Sequence, residues 1–419
     1  MASSSLPDPT LRFLIPSLED ALNIQCRVYH PEIDHHESIS QSSCLSQKAV
    51  IVAHPYTALG GSMDDKIVSQ IASICLKEGY IVGTFNFRGA GESEGSTSWQ
   101  SKSEQNDYMS FIGFIVCYLY YLRVLQLPPH IQLDSDAEDD FQIDSQDSQE
   151  TDSLGENRYD AIMSSPTRLL LAGYSYGALI TMSLPATIES ILAPFHVPSL
   201  DSIHGKIRLQ AKNLAKWRKF SYVSPKYLNK IHRSAKSTSF DMKRPEKISN
   251  DIRSSDRQRK SSPDSLRSNR SPVFPDRYRS QDSVHNLSVN ELPKSKKILP
   301  ENQEYWNINV AYLLVSPLQG IVCDLLTLWS FKSWRQRNTL SDKDIKLKLN
   351  QTLAIYGEDD VYVSSKSIRN WAEKLAMPEN GQEMSQFKFV EIAGAGHFWD
   401  NDQSATCLWA EIKDFVKIL

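Results

Sequence analysis

The sequence predicts an α/β fold in which a mostly parallel central sheet is covered by helices on both faces. Continuous apolar runs rich in Val and Ile, such as Ala49–Pro55, are typical of strands that are buried on both faces. Segments with apolar residues at helical spacing alternate with these runs, for example from Asp64 to Gly79. Strands that alternate with helices favour parallel pairing through helical crossovers.

The individual elements follow from the same periodicities. Two alternating segments at the start predict an antiparallel pair, and the Tyr-rich apolar run Phe111–Leu122 is too short to span a bilayer and predicts a buried helix. The predicted strands are Leu11–Leu18, Leu22–His30, Ala49–Pro55, Tyr80–Phe87, Arg168–Ala172, Asn309–Val315, Gln351–Tyr356 and Gln386–Ile392. The predicted helices are Asp64–Gly79, Ser103–Leu127, a helix from the turn at Ser175 to Leu192, Ser364–Leu375 and Asn401–Ile418.

Two charged segments interrupt this alternation. Residues 134–160 hold 11 Asp and Glu against one Arg, whereas residues 201–300 hold 24 Lys and Arg against 9 Asp and Glu. Both are poor in apolar residues, so they are expected to be largely disordered, although Ile207–Ile231 is expected to add one or two amphipathic helices. The predicted organisation is core at 1–133, acidic insertion at 134–160, core with the serine turn at 161–200, basic insertion at 201–300 and core at 301–419.

Bulk composition narrows the function classes. The formal net charge of −4 predicts no general attraction to nucleic acid, and the six cysteines form no C-x-x-C pair. The N-terminus lacks the features of a secretory signal, so a cytoplasmic protein without a transmembrane segment is expected. The basic insertion is interpreted as a solvated tail, with possible protein partners and possible kinase sites at Arg257–Ser261 and Arg277–Ser280.

The most informative motif is Gly173-Tyr174-Ser175-Tyr176-Gly177. It follows an apolar strand-like run and precedes a helix-like one, which predicts a sharp turn with a serine at its apex. The apex backbone is strained to positive φ, and the residues two before and two after it must be small.

A serine hydroxyl needs an imidazole base, and the imidazole needs a carboxylate to hold its tautomer. Suitable residues follow two later strands: Glu358, Asp359 and Asp360 come after one, and His397 comes after the last. Because parallel strands end at one edge of a sheet, these groups are expected to meet Ser175 there.

Two further stretches extend the pattern, namely His54-Pro55 followed by Gly60-Gly61-Ser62-Met63-Asp64-Asp65-Lys66, and Phe85-Asn86-Phe87-Arg88-Gly89-Ala90-Gly91-Glu92-Ser93-Glu94-Gly95. With the turn at Ser175 and the pair His397-Phe398, the chain resembles the α/β-hydrolase superfamily, and within it a subgroup of small cytosolic serine hydrolases. The resemblance covers residues 45–125, 165–195 and 305–419, and it implies the α/β-hydrolase fold.

Carried over by position, the resemblance implies Ser175 as nucleophile, His397 as general base and Asp360, three residues after Gly357, as the acid. It implies an oxyanion hole from the backbone N–H groups of Tyr176 and Tyr56. His54, Arg88, Gly89 and Gly91 are interpreted as structural.

The expected reaction is hydrolysis of a small-molecule carboxylic ester or thioester through an acyl-enzyme, without cofactor or metal. His30, His35 and His36, with Glu32 and Asp34, lack the second cluster that a metal site would need. The segment Leu318–Phe331, with Leu326, Trp329 and Trp334, is expected to roof an acyl pocket. The alternative is a binding or scaffold protein on this fold, whose charged insertions recruit partners.

Overall fold

The structure, a computed structural model, describes residues 6–32, 47–98, 101–126, 165–223, 306–318, 341–378 and 384–419. Within these residues the chain forms eight strands in one sheet and eight α-helices. The acidic insertion, and the basic insertion from residue 224 onward, lie outside the described residues, as do both possible kinase sites.

The strands follow the apolar runs of the sequence closely. Those in the middle of the sheet have nearly every side chain buried, because helices cover both of their faces. The strands are β1 (Leu11–Pro16), β2 (Asn23–Tyr29), β3 (Gln47–Ala53), β4 (Ile81–Phe85), β5 (Thr167–Tyr174), β6 (Ile308–Val315), β7 (Thr352–Gly357) and β8 (Phe387–Ile392).

The strand order in the sheet is β1-β2-β4-β3-β5-β6-β7-β8. Strand β2 pairs antiparallel with both β1 and β4, and every other neighbouring pair is parallel. The predicted opening hairpin and mostly parallel sheet are therefore confirmed. The register sets Gly173 of β5 beside Ala53 of β3, so that the ends of the central strands share one edge.

Helices cover the sheet on both sides, as the sequence predicted. Helices α1 and α8 bury their apolar stripes on one face, and the remaining helices pack on the other. The helices are α1 (Lys66–Lys77), α2 (Lys102–Val124), α3 (Tyr176–Ser183), α4 (Ile188–Leu192), α5 (Ile203–Val223), α6 (Asp342–Leu349), α7 (Ser365–Ala376) and α8 (Asp402–Ile418).

None of the helices in the described ranges alone combines the length and the apolar character needed to cross a bilayer. One pair of consecutive helices in those ranges, Tyr176–Ser183 and Ile188–Phe195, meets the two requirements when taken together, and it is bent by 90°.

The helix after Ser175 is shorter than the sequence predicted. We expected one helix as far as Leu192, but α3 ends at Ser183 and α4 begins at Ile188. The cause is Pro185, since a residue that precedes proline is forced out of the helical region. Leu184 accordingly has an extended backbone, with φ −58° and ψ 158°.

Helix α5 lies where the sequence predicts amphipathic helices, at Ile207–Ile231, and it buries Ile207, Ala211 and Ala215 in the core without exposure, at positions assigned to the basic insertion. Helix α6 was not predicted, although Ser341 and Asp344 form a capping box, which is a recognisable start signal.

A buried ion pair joins the loop after β4 to helix α2. The Arg88 guanidinium donates to Asp107 at 2.7 and 3.0 Å and to Asp20 at 3.0 Å, and Ser17 donates to Asp107 at 2.6 Å. Asp107 is fully buried, whereas the Asp20 side chain is 37% exposed. Arg88 is therefore structural, and Asp107 is the partner that the sequence did not reveal.

Removal of the buried partner should be far more costly than removal of the exposed one. We expect Asp107→Ala to lower the free energy of unfolding by about 3 to 5 kcal/mol, because it leaves a buried guanidinium without its main carboxylate. Asp20→Ala should cost no more than about 1 kcal/mol. Denaturant unfolding of both variants measures the difference, and equal losses would contradict this account of the pair.

Candidate active site

Ser175 lies at the apex of the turn between β5 and α3. Its backbone has φ +57° and ψ −115°, a conformation that non-glycine residues seldom adopt. A Cβ atom on Gly173 would lie 2.4 Å from the Gly177 carbonyl, and one on Gly177 would lie 2.2 Å from the Ala53 oxygen. The Gly173 contact is thus between β5 and α3 and the Gly177 contact between α3 and β3, and both are too close to admit a Cβ atom.

The structure brings three of the predicted site residues into one hydrogen-bonded chain. The Ser175 hydroxyl lies 2.8 Å from His397 Nε2, and His397 Nδ1 lies 2.7 Å from Asp360 Oδ2. The side chains of His397 and Asp360 are only 3% and 4% exposed. The chain therefore runs from a hydroxyl through an imidazole to a carboxylate, almost entirely shielded from water.

The position of Asp360 separates it from its two acidic neighbours. Its second oxygen accepts hydrogen bonds from the N–H groups of Tyr362, at 2.8 Å, and Val363, at 3.2 Å, which fix the carboxylate toward the imidazole. Glu358 instead accepts from the Gly394 N–H at 3.4 Å, and Asp359 donates its own N–H to the Ala395 carbonyl. Of the three, only Asp360 contacts His397.

Contacts from neighbouring strands hold the loop that carries His397. The Tyr174 hydroxyl donates to the His397 carbonyl at 3.1 Å. The indole N–H of Trp399 donates to the Ser316 hydroxyl at 3.0 Å, directly after β6. Sequence reasoning missed all three supporting side chains, and a signal was available only for Ser316, a polar residue directly after a strand.

Tyr56 and Tyr176 also lie together, with ring centroids 4.9 Å apart. Tyr176 is the first residue of α3, so its N–H has no partner within that helix. Neither the Tyr56 N–H nor the Tyr176 N–H donates to an acceptor in the described part of the chain. Tyr56 lies in the loop after β3 and Tyr176 begins α3 after β5, and β3 and β5 are adjacent in the sheet.

His54 shapes the loop that presents Tyr56. Its Nε2 accepts from the Phe87 N–H at 2.9 Å, so its proton resides on Nδ1, which donates to the Pro55 carbonyl at 2.6 Å. Burial lowers the pKa of His54 to about 4, while the Pro55 carbonyl opposes that shift. His54 is thus a neutral structural residue, as interpreted from the sequence.

His30 contacts a tyrosine of helix α2 within the described residues. Its Nε2 lies 2.9 Å from the Tyr118 hydroxyl, and burial, with a smaller effect of Arg218, lowers the pKa of His30 to about 3. Across the described ranges, no group of three His, Cys, Asp or Glu side chains is arranged to hold a metal ion. Asp34, His35 and His36 lie outside those ranges.

The predicted roof, Leu318–Phe331 with Trp334, also lies outside the described residues except for Leu318. Leu318 itself is buried, at 4% exposure, and belongs to the core. The roof therefore stays a prediction.

The two buried histidines make the stability of the fold depend on pH. An unfolded chain binds a proton at each imidazole near pH 6.5, whereas the folded chain does so only near pH 4 at His54 and near pH 3 at His30. Between those values the unfolded state holds more protons, so stability is full above pH 6.5 and falls as the pH is lowered. We expect His54 alone to account for a loss on the order of 3 kcal/mol by pH 4.

Unfolding free energies measured from pH 7 to pH 4 check this slope. In His30→Phe, which keeps an aromatic ring beside Tyr118, the slope should become shallower whatever the stability at pH 7. An unchanged slope in that variant would show that His30 does not titrate as described.

Comparison with known proteins finds only weak structural likenesses. No protein-family model and no curated protein matches the sequence. Among solved structures, the chain is similar to an α/β serine hydrolase without a lid from Xanthomonas campestris, with 14% identity, a TM-score of 0.41 and coverage of 98% of this chain and 95% of that one. It is similar to an α/β serine hydrolase homologue from Coxiella burnetii, with 11% identity, a TM-score of 0.38 and coverage of 99% of both chains.

An esterase from Pyrococcus furiosus shows 12% identity, a TM-score of 0.39 and coverage of 97% of this chain and 89% of that one. Likenesses of this size carry no argument, and the strand order and the turn at Ser175 are independent of them. On that architecture, the fold of this chain is the α/β-hydrolase fold.

Proposed function

We propose that this protein is a serine hydrolase that cleaves a carboxylic ester or thioester through an acyl-enzyme. One observation carries the proposal: the buried hydrogen-bonded chain from the Ser175 hydroxyl through His397 to Asp360, with distances of 2.8 and 2.7 Å. A hydroxyl in this setting has a base within reach of its proton, and the base is oriented by a carboxylate.

The first half of the reaction forms the acyl-enzyme. Ser175 Oγ attacks the substrate carbonyl carbon while its proton passes to His397 Nε2, and the carbonyl oxygen becomes an oxyanion. The carbonyl then re-forms, the bond to the leaving oxygen or sulfur breaks, and Nε2 returns its proton to that atom. Asp360, which accepts from Nδ1–H, holds the tautomer and stabilises the transient imidazolium.

The second half releases the acid. Water gives a proton to Nε2 as its oxygen attacks the acyl carbon, and collapse of the intermediate returns Ser175 with its hydroxyl proton and a carboxylic acid. In both halves the Tyr176 and Tyr56 N–H groups stabilise the oxyanion. Loss of one such donor typically costs about 3 kcal/mol of transition-state stabilisation.

Covalent labelling tests the nucleophile. A fluorophosphonate probe should label the wild-type protein and fail to label Ser175→Ala, because the probe phosphonylates an activated serine. Ser73→Ala, which changes another buried serine on α1, should be labelled like the wild type. Equal labelling of Ser175→Ala and the wild type would reject the assignment.

The assignment of the acid is tested separately with two neighbouring carboxylates. Asp360→Asn should lower kcat for ester hydrolysis by about 10³- to 10⁴-fold, because the amide no longer stabilises the imidazolium or holds its tautomer. Asp359→Asn is the matched control, since that side chain does not contact His397, and its kcat should stay within a few-fold of the wild type. The reverse order of effects would assign the role to Asp359.

A further inference from the structure

Three large, exposed apolar side chains follow Asp360 or His397, the two residues whose side chains hydrogen-bond to each other beside Ser175. Val361 is 78% exposed and Tyr362 37%, directly after Asp360, and Phe398 is 53% exposed, directly after His397. Single exposed apolar residues are common on any protein, but the rings of Tyr362 and Phe398 lie 5.8 Å apart, edge to face. We call these three side chains the apolar rim.

The exposure of the rim is built into the fold. The Tyr362 N–H donates to Asp360, and the next residue, Val363, is buried at 4% exposure. Phe398 lies between His397 and Trp399, which are 3% and 1% exposed. The chain is therefore anchored on both sides of each ring, and the rings face water because the anchored backbone turns them outward.

Both rings also contact the imidazole. The centroid of the Tyr362 ring lies 4.7 Å from that of His397, and the centroid of the Phe398 ring lies 5.4 Å from it, both edge to face. In the proposed reaction, His397 Nε2 delivers its proton to the leaving atom, so the leaving group must lie beside this imidazole. The side chains that flank the imidazole are consequently those that a leaving group meets.

We propose that the apolar rim binds the leaving group, and that the substrate is an ester of a neutral, apolar alcohol of several carbons. This inference rests on the proposed hydrolase function and names the part of the substrate that function leaves open. When the alcohol lies on the rim, apolar surface of both is removed from water, and this favours binding of the transition state.

Charge on the same two loops argues for a neutral leaving group. The loops at residues 357–364 and 393–401 carry the exposed carboxylates of Glu358, Asp359 and Asp400, and their sequences contain no Lys or Arg. An anionic leaving group would meet like charge at this side of the site, whereas a neutral alcohol would not.

Two series of esters separate the alcohol side from the acyl side. One series keeps a butyryl group and varies the alcohol from methyl to butyl, hexyl and benzyl, and the other keeps methanol and varies the acyl chain. For Phe398→Ala we expect the ratio of kcat/KM between hexyl and methyl butyrate to fall about tenfold relative to wild type. The preference along the acyl series should not change, and Phe398→Leu, which keeps apolar bulk, should restore most of the alcohol preference.

Ile418→Ala is the matched control, because Ile418 is 62% exposed and lies at the far end of α8, ~24 Å along the helix from its first turn. Its alcohol preference should equal that of the wild type. Hydrolysis of an ester whose alcohol carries a carboxylate should be slower than that of the neutral ester of equal length, and equal rates would remove the charge argument.

Other outcomes overturn the inference. A change along the acyl series alone would place the rim on the acyl side, and an equal loss for every ester would show that Phe398 acts only by positioning His397. Fluorophosphonate labelling of Ser175 keeps the two proposals distinguishable. If the wild-type enzyme is labelled but Phe398→Ala keeps its alcohol preference, only this inference is rejected. If the wild-type enzyme is not labelled, the proposed function itself is rejected.

Discussion

The close backbone contacts of Gly173 with α3 and of Gly177 with the end of β3 are the constraint on which the rest of the site depends. Separations of 2.4 and 2.2 Å to a hypothetical Cβ leave no room for any side chain at either position. This packing holds Ser175 at φ +57° and turns its hydroxyl beyond the carboxyl edge of the sheet. A relaxed turn would let the serine backbone return to ordinary φ values and would withdraw the hydroxyl from His397.

The remaining site geometry is a set of bonds between loops that follow different strands. The loops after β7 and β8 are joined by Asp360 to His397 and by Asp359 to Ala395, and Trp399 ties the second loop to Ser316 after β6. Each loop begins at the end of a buried strand, so the rigid sheet fixes the positions of the side chains on that loop. Burial of the imidazole and carboxylate strengthens their attraction, since little water is present to screen it.

The two sides of Ser175 differ in character. On the side of β3, the loop with Tyr56 is fastened by His54 to Phe87 after β4, and the Tyr56 ring packs against the Tyr176 ring of α3. On the side of β7 and β8, the imidazole is bordered by rings that remain open to water. The β3 side is thus held by contacts within the protein, whereas the imidazole side presents surface that a second molecule can cover.

By itself the sequence determined the alternation of strands and helices, the turn at Ser175, and the position of acid and imidazole after later strands. These are local features, because periodicity, glycine spacing and strand ends each depend on residues that are close together in the sequence. Only the tertiary structure decided that Asp107 balances Arg88, that Tyr174 supports His397, and that α5 belongs to the core. Ser175 and His397 are 222 residues apart, so the side chains that surround them depend on which distant segments pack together, and local periodicity carries no information about that.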